Sequence, residues 1–312
     1  MTRRKIAIIG LGKIAQDQHL PVVDKNPAFE LVAVTSQRGI THRGLPTFKT
    51  PAEMYKAIPD IEAVAICTPP DVRHAIAIEA LDAGKDVLLE KPTAATLAEA
   101  ADIEAHARKR GRVIFATWHS QYNPAVEEAK SILAGAGVKS LKISWREDVR
   151  KWHPGQDWVW EPGGFGVFDP GINALSIFVR ILPVTPFIKS AELTYPANRQ
   201  TPIGVQIVFS STDPDAPALA ADFDWREQGD EKWHIEIESK GGHKLRLFRG
   251  GASLSVDGHV TVEQPSEEYE RIYERFAELL QSRQSDFDIT PLRLVGDAMM
   301  IGKRLTTEAF DW

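Results

Sequence analysis

The segment Gly10-Leu11-Gly12-Lys13-Ile14-Ala15 constrains this chain more than any other. It follows the apolar run Lys5–Ile9 directly and opens a helical pattern from Ile14 to Asp24, so a strand turns sharply into a helix here. Gly-x-Gly-x-x-Gly/Ala in that setting is a dinucleotide-binding turn. The first glycine permits the tight turn, the second lets backbone approach a pyrophosphate, and the small third residue keeps helix and strand close. The helix N-terminus then offers free N–H groups and a partial positive charge to the phosphates. Gly10, Gly12, Lys13 and Ile14 are therefore expected at the cofactor.

The following hundred residues alternate short apolar runs with helical patterns, as a parallel α/β sheet requires. Glu30–Thr35, Glu62–Thr68, Asp86–Glu90 and Arg112–Thr117 read as strands; Val72–Ala83 and Thr96–Arg110 read as helices closed by Gly84 and Gly111. The pattern predicts a doubly wound parallel sheet. Beyond Ser120 the texture changes. A helix over Asn123–Leu133 gives way to strand-like runs at Lys139–Asp148, Ile188–Thr194, Val205–Phe209, Ala218–Asp224, His234–Ser239 and Lys244–Phe248, and helices follow at Glu267–Gln281 and Pro291–Glu308. The fold class is α/β: a dinucleotide-binding domain over residues 1–120, then an α+β domain over 121–312 with a large, mostly antiparallel open sheet. The last helix is expected to pack back on the first domain.

Composition narrows the partners. A net charge of −6 argues against a nucleic-acid surface, and the single cysteine, Cys67, leaves no disulfide framework or Cys-rich zinc site. No apolar run approaches the roughly 18 residues of a membrane span. A cytoplasmic protein without a metal is expected.

At the end of the second strand the chain reads Val34-Thr35-Ser36-Gln37-Arg38. An NAD-selective site usually carries an acidic residue there for the ribose 2′-hydroxyl, and none is present. Ser36, Gln37 and Arg38 suit a 2′-phosphate, which favours NADP, alone or together with NAD. Lys91, in Glu90-Lys91-Pro92, ends a strand where open α/β sheets place ligands, and its ammonium can polarise a substrate oxygen. Asp169 and Asn173, after the run Gly163-Gly164-Phe165-Gly166, stand four apart and aim at one point if the segment is helical. Beside a dinucleotide turn, these residues point to acid/base chemistry against a nicotinamide.

In order, Gly10-x-Gly12-x-x-Ala15, Thr68-Pro69-Pro70 with His74, Glu90-Lys91-Pro92 and Gly163-Gly164…Asp169-x-Gly171-x-Asn173 resemble the glucose–fructose oxidoreductase/inositol dehydrogenase/rhizopine catabolism (Gfo/Idh/MocA) superfamily over essentially the whole chain. The resemblance implies a Rossmann domain, a second domain whose sheet covers the nicotinamide pocket, and hydride transfer between a sugar or cyclitol carbon and NAD(P). It adds Thr68, Pro69, His74, Glu90 and Lys91 to the cofactor contacts. The family often has an acid/base histidine four residues after the aspartate. Here that position is Asn173, which can only hydrogen-bond and orient, so proton transfer passes to Asp169 with Lys91 assisting. With Trp152-His153-Pro154-Gly155 and Trp160-Glu161-Pro162, this pattern resembles the aldose 1-dehydrogenases of the family. Those enzymes oxidise the anomeric carbon of L-arabinose, D-galactose or D-fucose to the aldonolactone.

Sugar recognition needs polar groups for hydroxyls and an aromatic face for C–H bonds. His119, Glu147, Trp152, His153 and Trp233 are the candidates, alongside Lys91, Asp169 and Asn173. Two other readings remain open: a non-catalytic sensor of sugar and NAD(P), or another polyol or cyclitol dehydrogenase. A free face of the second sheet could also be buried in a homodimer.

Overall fold

The computed structural model describes residues 3–311 apart from 214 and 216. Its helices are α1 Leu20–Lys25, α2 Pro51–Ala57, α3 Pro70–Asp82, α4 Leu97–Arg110, α5 Val126–Ala136, α6 Val149–Trp152, α7 Phe168–Ile181, α8 Glu268–Ser282 and α9 Thr290–Ile301. Two compact units emerge: the chain through His119 with Glu268–Ile289, and Ser120–Glu267 with Thr290 onward.

Among the described residues of the first unit, the five apolar runs and the short Thr47–Phe48 form six parallel strands, β1 Arg4–Ile9, β2 Phe29–Thr35, β3 Thr47–Phe48, β4 Ala63–Ile66, β5 Asp86–Leu89 and β6 Ile114–Ala116. Their order is β3-β2-β1-β4-β5-β6. β4 and β5 are buried along their whole length, which is why they read as continuous apolar runs rather than alternating ones. The order reverses between β1 and β4, and open α/β sheets bind ligands at the carboxyl ends of such a pair. Capping boxes, Thr50 with Glu53 and Thr96 with Glu99, start α2 and α4, and Gly111 closes α4 in the left-handed conformation. The helix expected over Ile14–Asp24 is broken into a π-helical turn, Ala15–His19, followed by α1. α8 completes this unit by burying Tyr269, Ile272, Tyr273, Phe276 and Leu280 on one face. Phe276 lies 5.8 Å from Phe29 and 6.1 Å from Phe115, centroid to centroid.

Among the described residues the second unit carries nine strands: β7 Val138–Arg146, β8 Pro186–Pro196, β9 Gly204–Ser211, β10 Ala218–Asp224, β11 Lys232–Ser239, β12 Lys244–Phe248, β13 Ser253–Val256, β14 His259–Glu263 and β15 Lys303–Thr307. They run in the order β14-β13-β12-β11-β7-β10-β9-β8-β15. The sheet is mixed, since β10 pairs with β7 and β15 with β8 in parallel. Leu141, Ile143, Trp145, Val205, Ile207, Leu219, Phe223, Ile235 and Leu247 form the buried face at every second position. Lys142, Gln206, Val208, Glu236 and Arg246 stand on the other, more exposed face. α7 is buried along most of its length. Its Gly171 is a packing requirement, because a Cβ there would come within 2.9 Å of the Phe223 ring on β10.

The structure differs from the sequence pattern at three points. The last helix stops at Ile301, and Lys303–Thr307 is a strand because its polar, β-branched run alternates and pairs with β8. The segment grouped with the first unit is α8, whereas α9 belongs to the second. Strands β3, β13 and β14 escaped the sequence pattern; β3 has two residues, and β14 is mostly exposed.

Candidate active site

In the first unit the glycine turn is built as its spacing demands. Gly10 has φ +91°, and a Cβ there would lie 2.8 Å from Thr68 Cγ2. Gly12 faces open space, with nothing within 4 Å of where its Cβ would stand. Thr68, beside the turn, has a buried hydroxyl without a hydrogen-bond partner. A left-handed turn, an open approach to backbone and an unpaired hydroxyl at the sheet's switch point fit a dinucleotide. Lys13 is exposed and paired with Asp17 one turn on, and Ile14 is 36% exposed. At the end of β2, Gln37 and Arg38 are exposed, while the Ser36 hydroxyl accepts the Ile40 N–H at 3.0 Å. Pro69 is exposed ahead of α3.

Two of the cofactor candidates have side-chain partners within the protein. His74 points its Nε2 at Asp102 of α4, 2.8 Å away, and is half-exposed between the two helices. Its neighbour Arg73 turns inward instead. Arg73 is 3% exposed and donates to the carbonyls of Thr68, Glu90 and Pro92, tying together the loops that follow β4 and β5. Arginine at an interior helix position gave no sequence signal of this role. Glu90, for its part, spends its carboxylate within the protein: Oε1 lies 2.9 Å from His19 Nε2 and accepts from Tyr269 Oη at 2.7 Å. Its Oε2 accepts the Lys91 backbone N–H at 2.8 Å. Burial alone would raise this carboxyl, but the His19 hydrogen bond and charge prevail and hold it at about 2. Lys91 follows β5 and is half-buried. His119 places Nδ1 3.0 Å from Glu268 and lies over the Tyr269 ring at 5.8 Å. Burial works against the charged imidazole, yet the Glu268 carboxylate beside it raises its pKa.

In the second unit, residues far apart in sequence gather around Asp169. It lies in the first turn of α7 and is 9% exposed, with Asn173 one turn on along the same helix. His153 Nε2 is 3.3 Å from its Oδ2. The His153 ring lies 5.2 Å from Trp225, and its Nδ1 is 3.4 Å from Gln156 Oε1. Glu147, just past β7, is 5% exposed and receives two indole N–H bonds: Trp233 at 2.9 Å and Trp225 at 3.3 Å. Burial pushes its carboxyl up to about 7; the indole bonds oppose this, and the charges of Asp169 and Glu231 add to it. Trp152 is 41% exposed, donates to Glu231 at 2.5 Å and sits 5.4 Å from Trp233. Asp169, His153, Glu147, Trp152 and Trp233 thus form one continuous cluster. Trp225, Gln156 and Glu231 were not foreseen, because each acts by holding a neighbour rather than by belonging to a motif.

A buried acid beside an imidazole, a carboxamide one turn away, a second near-neutral carboxyl and a partly exposed aromatic face suit a polyhydroxylated substrate undergoing proton transfer. Among the described residues no helix is long and apolar enough to cross a membrane.

Residues 4–117 match the model of the Gfo/Idh/MocA oxidoreductase family, NAD-binding Rossmann fold. Galactose 1-dehydrogenase of Pseudomonas fluorescens is 44% identical over 306 residues, 98% of each chain. The crystal structure of D-galactose-1-dehydrogenase from Rhizobium etli superposes with a TM-score of 0.95 at 50% identity, covering 100% of this chain and 99% of that one. A 3-ketoreductase from Actinomadura kijaniata, 19% identical with a TM-score of 0.81 over 98% of this chain and 100% of its own, shares the fold. The first unit carries an NAD-binding Rossmann fold, and the chain belongs to the Gfo/Idh/MocA family of oxidoreductases.

Proposed function

We propose that this chain oxidises the anomeric carbon of an aldopyranose of the D-galactose, L-arabinose and D-fucose class to the aldonolactone, with NADP+ preferred to NAD+. The observation that carries the reading is the pairing of Asp169 and Asn173 on one face of α7, with the carboxylate held at His153. Full-length similarity to the Pseudomonas galactose 1-dehydrogenase supports it.

Bound NAD(P)+ supplies the hydride acceptor. Asp169 takes the anomeric hydroxyl proton as the C1–H electron pair departs and the C1–O bond becomes a carbonyl. An anomeric hydroxyl is more acidic than an ordinary alcohol, so a carboxylate assisted by the Lys91 ammonium serves as base. Asn173, which cannot titrate, donates and accepts hydrogen bonds that fix the hydroxyls. Glu147, largely protonated below neutrality, offers a hydroxyl proton to the sugar, and Trp152 and Trp233 offer faces for its C–H bonds. His153, beside Asp169, and His119 of the first unit are further candidates for hydrogen bonds to the sugar hydroxyls. The sugars of this class differ mainly at the substituent beyond C5, worth about 1–3 kcal/mol in a pocket, so overlapping specificity is expected. The open face of the nine-stranded sheet is the surface proposed for a homodimer.

Asp169→Ala tests the central assignment. Turnover should fall by roughly 10²–10⁴-fold, the range for losing a general base, with NADPH binding unchanged. Turnover at the wild-type rate would remove Asp169 from the reaction.

A further inference from the structure

The first unit contains a buried polar set that the reaction above does not use. His19, Glu90, Tyr269 and Tyr273 are 0%, 3%, 3% and 0% exposed. His19 bridges Tyr273 Oη, 2.7 Å from Nδ1, and Glu90 Oε1, 2.9 Å from Nε2. Tyr269 Oη donates to the same carboxylate oxygen, and its ring meets His19 edge-on at 4.9 Å. The other oxygen, Oε2, is committed to the backbone N–H of Lys91. Every acceptor position that faces a donor in this set is therefore occupied, and one of those donors is the main chain of the residue assigned to polarise the sugar oxygen.

Three elements meet here. His19 ends the π-helical turn that follows the glycine motif, Glu90 follows β5, and the tyrosines lie one turn apart on α8. π-helical turns inside helices are rare and concentrate at functional positions. Hydrophobic side chains of similar volume usually stabilise a core as well as a buried ion pair does, so stability is weak grounds for keeping one. Arg73 holds the opposite side of the same segment through the carbonyls of Glu90 and Pro92. The backbone on either side of Lys91 is thus fixed by side chains from α3, α8 and the nucleotide-binding helix.

We propose that His19, Glu90, Tyr269 and Tyr273 are positioning residues for Lys91: the Glu90 carboxylate, held by His19 and Tyr269, fixes the lysine backbone and so aims its ammonium. The charges agree with this arrangement. His19 is raised well above its usual value despite burial, through Cys67, Tyr273 and Glu90, and Glu90 is held at about 2. The inference rests on the catalytic reading of Lys91 given above, and the test separates the two.

The substitution Glu90→Gln keeps size and shape but replaces one acceptor by an amide N–H. That N–H must then face either the Lys91 N–H, a donor, which displaces the segment, or His19 Nε2, which accepts it only as the neutral imidazole, so the charged link that holds the side chain is lost. Tyr269→Phe removes a single hydroxyl and is the second, milder variant. Each is made alone and on a Lys91→Ala background, and kcat, sugar KM and NADPH affinity (from nicotinamide fluorescence) are measured. The expected result is a kcat loss of about tenfold or more for Glu90→Gln and about threefold or more for Tyr269→Phe, with NADPH affinity within about twofold. On the Lys91→Ala background, read with excess enzyme, the same substitutions should change kcat by less than about twofold, because the group they aim is gone. Equal losses in both backgrounds would show general damage to the fold and overturn the inference, as would wild-type kcat in both single variants. Wild-type turnover in Lys91→Ala alone would instead overturn the catalytic reading of Lys91, and the inference with it.

Discussion

Glu147 makes the sharpest energetic prediction in the molecule. Its carboxyl is buried, accepts two indole N–H bonds and is pushed from an ordinary 4.5 up to about 7. At about 1.4 kcal/mol for each tenfold change, ionising it in the folded protein costs roughly 3 kcal/mol more than in the unfolded chain. Below pH 4.5 both states hold the proton and the full stability is present. As pH rises from 4.5 to about 7, the unfolded chain releases its proton while the fold retains it. Stability therefore falls by about 1.4 kcal/mol per pH unit and levels off above neutrality. Glu147→Gln removes this titration. Its amide nitrogen cannot accept an indole N–H, so the variant carries a constant penalty of about 1–3 kcal/mol that does not vary with pH. Urea unfolding of both proteins across this pH range isolates the effect, since every other group titrates alike in the two. The wild-type curve should drop toward the variant's by roughly 3 kcal/mol. Parallel curves across that window would refute the reasoning and mean that Glu147 is ionised in the fold at acidic pH.

Two further outcomes follow from single positions. Arg38→Ala should raise KM for NADP+ by about tenfold and leave NAD+ unchanged, since a charged hydrogen bond is worth about 1.5–3 kcal/mol; equal effects on both cofactors in steady-state assays would remove Arg38 from the 2′-phosphate. Gly171→Ala should destabilise by about 1–3 kcal/mol in denaturant titrations, because the new methyl meets the Phe223 ring at 2.9 Å; unchanged stability would mean that α7 does not rest on β10 as closely as described.

How far the sequence could be read depended on how local each cause was. β1, the glycine turn, β4 and β5 were legible because buried parallel strands are continuous apolar runs and Gly10 must adopt φ +91°. α7 was legible only through Asp169 and Asn173, since Pro170 and Gly171 disguise a buried helix whose first turn tolerates proline and whose glycine answers a ring on another element. The tail Lys303–Thr307 read as helix because its strand character depends on pairing with β8, some hundred residues earlier. At the site, residue types with one chemical use, Lys91 and Asp169 among them, could be nominated from their motifs alone. His74 pairs with Asp102 while its neighbour Arg73 takes the inward face of α3, and periodicity alone does not tell a buried arginine from a solvated one. Trp225 and Tyr269 carry no motif at all, and only the folded chain brings their polar atoms to Glu147 and Glu90.

The most direct test of the central claim follows the oxidised carbon itself. D-Galactose labelled with ¹³C at C1 is incubated with the protein and NADP+, and the label is followed by NMR as NADPH accumulates. The account predicts that the hemiacetal signal is replaced by that of a lactone carbonyl, then by the carboxylate of its hydrolysis product, in step with NADPH. NADPH formation with the label still in a hemiacetal would place the oxidation at another carbon and contradict the assignment of an aldose 1-dehydrogenase.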